Sequence, residues 1–106
     1  MPGKYIAVLL FGSSSDDQGY KPLYEESYVE ITASSEAEAR KKALKLARSR
    51  ETTYENADGN RITWRFMKMI DIAESLEDTN GDVRELYARH FYDLKAYRSM
   101  EILWKV

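Results

Sequence analysis

The stretch ETTYENADGNRITWRFMKMIDIA, Glu51 to Ala73, decides the fold. Its second arm alternates. Ile62, Trp64, Phe66, Ile70 and Ile72 fall on one side of a period of two, and Thr63, Arg65, Met67, Met69 and Asp71 fall on the other. Lys68 interrupts the apolar side. Ala57-Asp58-Gly59 suits a three-residue turn with Gly59 in the left-handed conformation that a Cβ disfavours. That register sets Tyr54 opposite Ile62 and Thr52 opposite Trp64, so the stretch reads as a hairpin at the centre of a small sheet. Trp64 is expected under a helix. The hairpin carries no catalytic signature.

Working outward, Lys4 to Phe11 is apolar on both sides of the alternation, as in an interior strand covered on both faces. Gly12 to Gly19 has the small and acidic residues of a mobile loop. From Leu23 to Ala33 the pattern alternates again, with Leu23, Val29, Ile31 and Ala33 on one face and Tyr24, Glu26, Tyr28, Glu30 and Thr32 on the other. Ser35 and Glu38 have the spacing of a capping box, which starts a helix whose apolar stripe is Ala39, Ala43, Leu46 and Ala47. A stripe of alanines lets the helix lie close to a sheet. Glu74 to Asp82 is an acidic turn region. Val83 to Phe91 fits either a strand or a helix by periodicity, and a strand is preferred. Asp93 can cap a short final helix with Leu94, Tyr97, Met100, Leu103 and Trp104 as its apolar positions.

The order strand, strand, helix, hairpin, strand predicts an α+β domain. Its mainly antiparallel sheet has one long helix packed on one face, with a short C-terminal helix after it. A ferredoxin-like arrangement is the alternative topology. At 106 residues, with 43% hydrophobic and 32% charged residues, the chain is expected to form one domain over residues 1–106. The sequence contains no cysteine, which rules out disulfides, thiol nucleophiles and cysteine-held metals. Tyr5 to Phe11 is too short an apolar run to cross a bilayer, so no membrane role and a cytoplasmic location are expected. A formal net charge of −2 gives no overall attraction to nucleic acid.

The five glycines, at positions 3, 12, 19, 59 and 81, assemble no phosphate-cradling loop. The single histidine, His90, reads as a structural residue, and a zinc site built on several imidazoles cannot form. Asp78, Asn80 and Asp82 have the spacing that opens a calcium loop. Val83 and Arg89 then stand where that loop needs glycine and a bidentate carboxylate, so an acidic turn is the better account. No catalytic residue, metal or cofactor is assigned. The basic residues of the helix, Lys41, Lys45 and Arg48 among them, read mainly as a solvated face, with weak nucleic-acid binding as a lesser alternative.

What remains is a surface. Tyr24, Glu26, Tyr28 and Glu30 on the second strand, and Arg65, Met67 and Met69 on the hairpin, if both lie on the sheet face away from the helix, form a surface of Tyr and Met character typical of protein interfaces. The competing reading has the C-terminal helix simply covering that face. The leading expectation is a non-enzymatic interaction module, either a homodimer or the small regulatory or neutralising partner of another protein. The alternative is an enzyme or small-ligand binder that draws Glu26, Tyr54, Asn56, Arg65 and Arg89 together near the hairpin.

The chain also resembles a family of short bacterial proteins, domain of unknown function 4288. The resemblance rests on Glu26-Ser27, Ala37-Glu38-Ala39, Tyr54-Glu55-Asn56 with Gly59 and Trp64, and Glu85, Tyr87 and Arg89, and covers roughly Lys4 to Phe91. It implies a stand-alone bacterial cytoplasmic domain with a strand at Glu85 to Phe91. It carries no activity, ligand or catalytic residue to transfer.

Overall fold

A computed structural model describes residues 3–75 and 83–100, with backbone alone at 83–87, 89 and 100. The acidic turn at Asp78, Asn80 and Asp82 lies outside the described residues, as do the helical positions expected at Leu103 and Trp104. Five strands and two helices follow one another as β1 (Gly3–Ser15), β2 (Tyr24–Ala33), α1 (Glu36–Ser49), β3 (Thr52–Glu55), β4 (Arg61–Ser75), β5 (Val83–Phe91) and α2 (Leu94–Met100). The strands form one sheet in the order β3-β4-β1-β2-β5, and each pairing is antiparallel. Because β1 and β2 pair directly before the helix, the ferredoxin-like alternative, which flanks its first helix with the first two strands, does not hold. None of the described helices is long and apolar enough to cross a membrane.

The interior run of β1 is covered on both sides. Ala7, Leu9 and Phe11 pack with Val29, Ile31, Ala33 and Ile72 beneath Ala39, Ala43 and Ala47 of α1, all of them buried. Val8 and Leu10, on the opposite face, pack with Ile70 and Tyr97 of α2. The three alanines are fully buried, as a close helix-to-sheet approach requires. Helix α1 spans 14 residues, which corrects the expectation of a long helix. Its cap is Ser35, whose side chain accepts from the Glu38 N–H at 3.1 Å. The Glu38 carboxylate does not complete the box; it accepts from the Ser34 hydroxyl at 2.5 Å.

The hairpin closes as its sequence predicts. Tyr54 pairs with Ile62 and Thr52 with Trp64, and Gly59 has φ 80°. Further along β4 the simple alternation fails. Against β1 the register slips twice, between Val8 and Leu9 and between Leu10 and Phe11, leaving Ile70 and Met67 without direct partners. Each slip is a bulge, in which two residues oppose one and the later side chains change sides. As a result Met69 packs toward α1 with Trp64 and Phe66, while Ile70 joins the α2 side. Two expectations are corrected here, since Met69 was placed away from the helix and Ile70 toward it.

The loop expected over Gly12 to Gly19 is also shorter than its composition implies. β1 runs on to Ser15, and Ser13 is buried. The Ser13 and Leu23 backbones join at 2.9 Å, and the Ser13 hydroxyl lies 2.6 Å from the Tyr20 hydroxyl. Asp16 accepts from the Arg61 N–H at 2.9 Å. These bonds satisfy polar groups that would otherwise favour water, so small polar residues can continue the strand.

Candidate functional site

On the α1 side, the face of β2 that carries Val29, Ile31 and Ala33 continues with Ser27 and Glu25 toward the strand's start. Helix α1 ends over this region. Arg50 is its C-cap, with its N–H directed at the Leu46 and Ala47 carbonyls, so its side chain leaves the helix at a defined point. Arg50 Nη1 donates to Ser27 Oγ at 3.1 Å. The bond ties the end of the helix to a fully buried hydroxyl.

Across the β2–β5 ladder Glu25 stands directly opposite His90. The two side chains meet with Nε2 and Oε2 3.2 Å apart, Glu25 at 24% and His90 at 50% side-chain exposure. The His90 ring meets Trp64 edge to face, with centroids 6.5 Å apart. Trp64 packs against the α1 core from one side, and the Phe66 ring contacts Phe11 at 5.7 Å. The result is an open cleft of about 440 Å³ lined by Phe11, Glu25, Arg50 and Trp64. Its size falls within the range of roughly 300–1,000 Å³ common for small-molecule sites. Trp64 also borders a smaller hollow of about 260 Å³ together with Glu51, Thr52, Thr53, Thr63 and Arg65.

The chemistry of the cleft follows from these groups. A guanidinium offers a planar fork of donors to an anion, a carboxylate accepts from several donors at once, and indole and phenyl faces hold flat or apolar groups. The His90 Nε2 lies against one of the Glu25 carboxylate oxygens. Among the described residues no group of three or more His, Asp or Glu side chains is placed to hold a metal ion.

The residues singled out in the sequence lie elsewhere. Tyr24, Glu26 and Tyr28 share the opposite face of the sheet with Val8, Leu10 and Ile70. Tyr24 stacks on Phe91 with centroids 5.7 Å apart, and Phe91 stacks in turn on Tyr97 at 4.6 Å. Glu26 is fully buried and accepts from the Tyr97 hydroxyl. Met67 is on this side as well, 42% exposed and against Gly12. Tyr54 is 48% exposed on β3. The Asn56 Oδ1 accepts from the Asp58 and Asn60 N–H groups at 3.1 and 2.9 Å, which makes it part of the turn. Arg65 is exposed and borders the smaller hollow. Arg89 pairs in register with Glu26, and its side chain lies outside the described residues. The structure therefore gathers Tyr24, Glu26, Tyr28 and Met67 on one face, with Arg65 on the same side by its register with Gly12, and leaves Tyr54 and Asn56 apart from them. Lys41, Lys45 and Arg48 are exposed on α1.

Glu25 and Arg50 were missed in the sequence, and Trp64 and His90 were read as structural residues. One signal was present. Glu25 and Ser27 are polar positions on an otherwise apolar face that includes Val29, Ile31 and Ala33, and polar groups on a core face need a partner or a function.

The chain belongs to the family described as Domain of unknown function (DUF4288), whose model matches residues 4–88. Phe11, Glu25, Arg50 and Trp64 lie inside that span, and His90 and α2 lie beyond it. Comparison with curated proteins and with solved structures finds no match.

Proposed function

We propose that this chain is a small-ligand-binding domain, with its ligand held in the cleft between the end of α1 and the sheet. The observation that carries this reading is convergence. Glu25 from β2, Arg50 from the end of α1, Trp64 from β4 and Phe11 from β1 line one hollow of about 440 Å³, with His90 of β5 in contact with Glu25. Aromatic walls with a small number of placed polar groups in a concave site are the usual composition of a ligand pocket. The reading shares its class with the ligand-binding alternative drawn from the sequence, and the residues differ.

The test is a thermal-shift screen of small polar and amphipathic metabolites on the native chain and on Arg50→Gln. A ligand that binds only the folded state raises its melting temperature by mass action. Compounds that raise the native melting temperature and leave that of Arg50→Gln unmoved are the expected result. A screen with no stabilising compound, or with equal stabilisation of both proteins, contradicts the reading.

The interaction module remains a second reading, favoured by Met67 and Tyr92, which are 42% and 53% exposed. Helix α2 already occupies much of the face that carries Met67 and Tyr24, so a homodimer would use what Tyr97 leaves uncovered. Light scattering that returns a dimer mass, reduced to a monomer by Met67→Glu, supports it. A monomer mass at high concentration ends it.

A further inference from the structure

Trp64 lines two hollows at once. The larger, of about 440 Å³, also takes in Glu25, and the smaller, of about 260 Å³, takes in Glu51, Thr52 and Arg65 at the sheet edge where β3 begins. Each hollow thus sets a carboxylate beside the same indole. The Glu25 Oε2 lies 3.2 Å from His90 Nε2, and the Glu51 Oε2 accepts from the Phe66 N–H at 3.0 Å. A carboxylate offers about four acceptor positions, so both keep positions for hydrogens that a ligand brings. Thr52 stands directly across the β3–β4 ladder from Trp64, which puts a hydroxyl on the indole's side of the sheet.

These groups select a ligand by its hydrogen-bonding character. An anion meets a carboxylate in both hollows, and like charges repel more strongly where water is partly excluded. A cation suits Glu25 and Glu51, but it meets Arg65 in the smaller hollow and leaves the Thr52 hydroxyl with nothing to donate to. A neutral ligand rich in hydroxyls fits all of them, because each O–H donates to a carboxylate while its oxygen accepts from the guanidinium of Arg65 or from Thr52. The indole adds a second condition, since the negative face of an aromatic ring attracts a surface of C–H groups. Hydroxyls around a C–H face describe a sugar ring. We infer that the ligand is a neutral saccharide of at least two rings, one stacked on Trp64 with its hydroxyls toward Glu25, and the next in the smaller hollow beside Glu51 and Thr52. The inference rests on the cleft reading above, and it asks nothing of Arg50 beyond the wall that residue forms beside Ser27.

The test is an NMR titration of the isotopically labelled native chain, read at the Trp64 indole N–H, which is assigned by its loss in Trp64→Phe. The probes are maltose, cellobiose, lactose, mannobiose and N,N′-diacetylchitobiose, their constituent monosaccharides, and glucosamine and glucuronic acid as the cationic and anionic counterparts of glucose. At least one disaccharide should shift the indole signal saturably and bind about tenfold or more tightly than its monosaccharide, the factor expected from one further set of hydrogen bonds. Glu51→Gln keeps an acceptor for the Phe66 N–H and should reduce that advantage. Equal binding of disaccharide and monosaccharide overturns the two-ring assignment. If no saccharide shifts the indole signal, or if glucosamine or glucuronic acid binds more tightly than every neutral sugar, the saccharide inference is overturned, and the cleft reading stands on the compounds found by thermal shift. If the thermal-shift screen yields no ligand either, both fall together. The comparison among sugars uses the native chain, so an unstable variant does not block it.

Discussion

Trp64 is where packing and site meet. One side of the indole contacts the core beneath α1, and the other forms a wall of the cleft, which leaves it half-buried. Trp64→Ala should therefore cost about 2–4 kcal/mol, at or below the usual range for truncating a core tryptophan. Arg65→Ala, at an exposed neighbour, should stay within about 0.5 kcal/mol. Paired urea melts make the comparison, and equal midpoint shifts would mean that the hairpin register is wrong. Glu38 supplies a pH signature. The Ser34 hydroxyl holds its carboxyl below the usual 4.5, Lys42 pushes in the same direction, and partial desolvation opposes them. Since the folded value is the lower one, the stabilisation is present above pH 4.5 and fades as pH falls through the folded value. Ser34→Ala should thus lower the urea midpoint at neutral pH and converge with the native chain in acid. A constant difference across that range would remove the hydrogen bond from the account.

At the scale of elements, the sequence showed what is local. Gly59 set the hairpin register, Ser35 set the start of α1, and the alternation of β2 set its faces. The two bulges in β4 were not legible. A bulge inserts one residue without altering composition, and its only trace was Lys68 breaking the apolar series. Burial of Glu26 was hidden for a different reason, because its partner, the Tyr97 hydroxyl, is 71 residues away. The described part of helix α2 covers Leu94–Met100, and Tyr97 is the residue by which it is buried against the sheet. Tyr97→Phe keeps the ring stacked on Phe91 and withdraws a donor from a buried carboxyl, which should cost about 1–3 kcal/mol. An unchanged melting curve would indicate that α2 does not dock on this face in solution.

At the scale of the whole molecule, the sheet separates two environments. The α2 side is closed by aromatic stacking over Glu26, and the α1 side is packed near Ala39 and Ala43 and open beyond the helix end. Glu25, Arg50, Trp64 and His90 come from four elements, and taken singly each reads as an ordinary surface or core residue. Only the β3-β4-β1-β2-β5 order and the short span of α1 bring them to one place, which is why the cleft could not be read from the chain in order. The most direct test is an amide chemical-shift map of the isotopically labelled chain, titrated with the compound that raises its melting temperature most. The account predicts perturbations centred on Glu25, Arg50, Trp64 and His90, with Met67 and Tyr97 unmoved. Perturbations centred on Tyr24, Met67 and Tyr97 would contradict it and move the functional surface to the other face of the sheet.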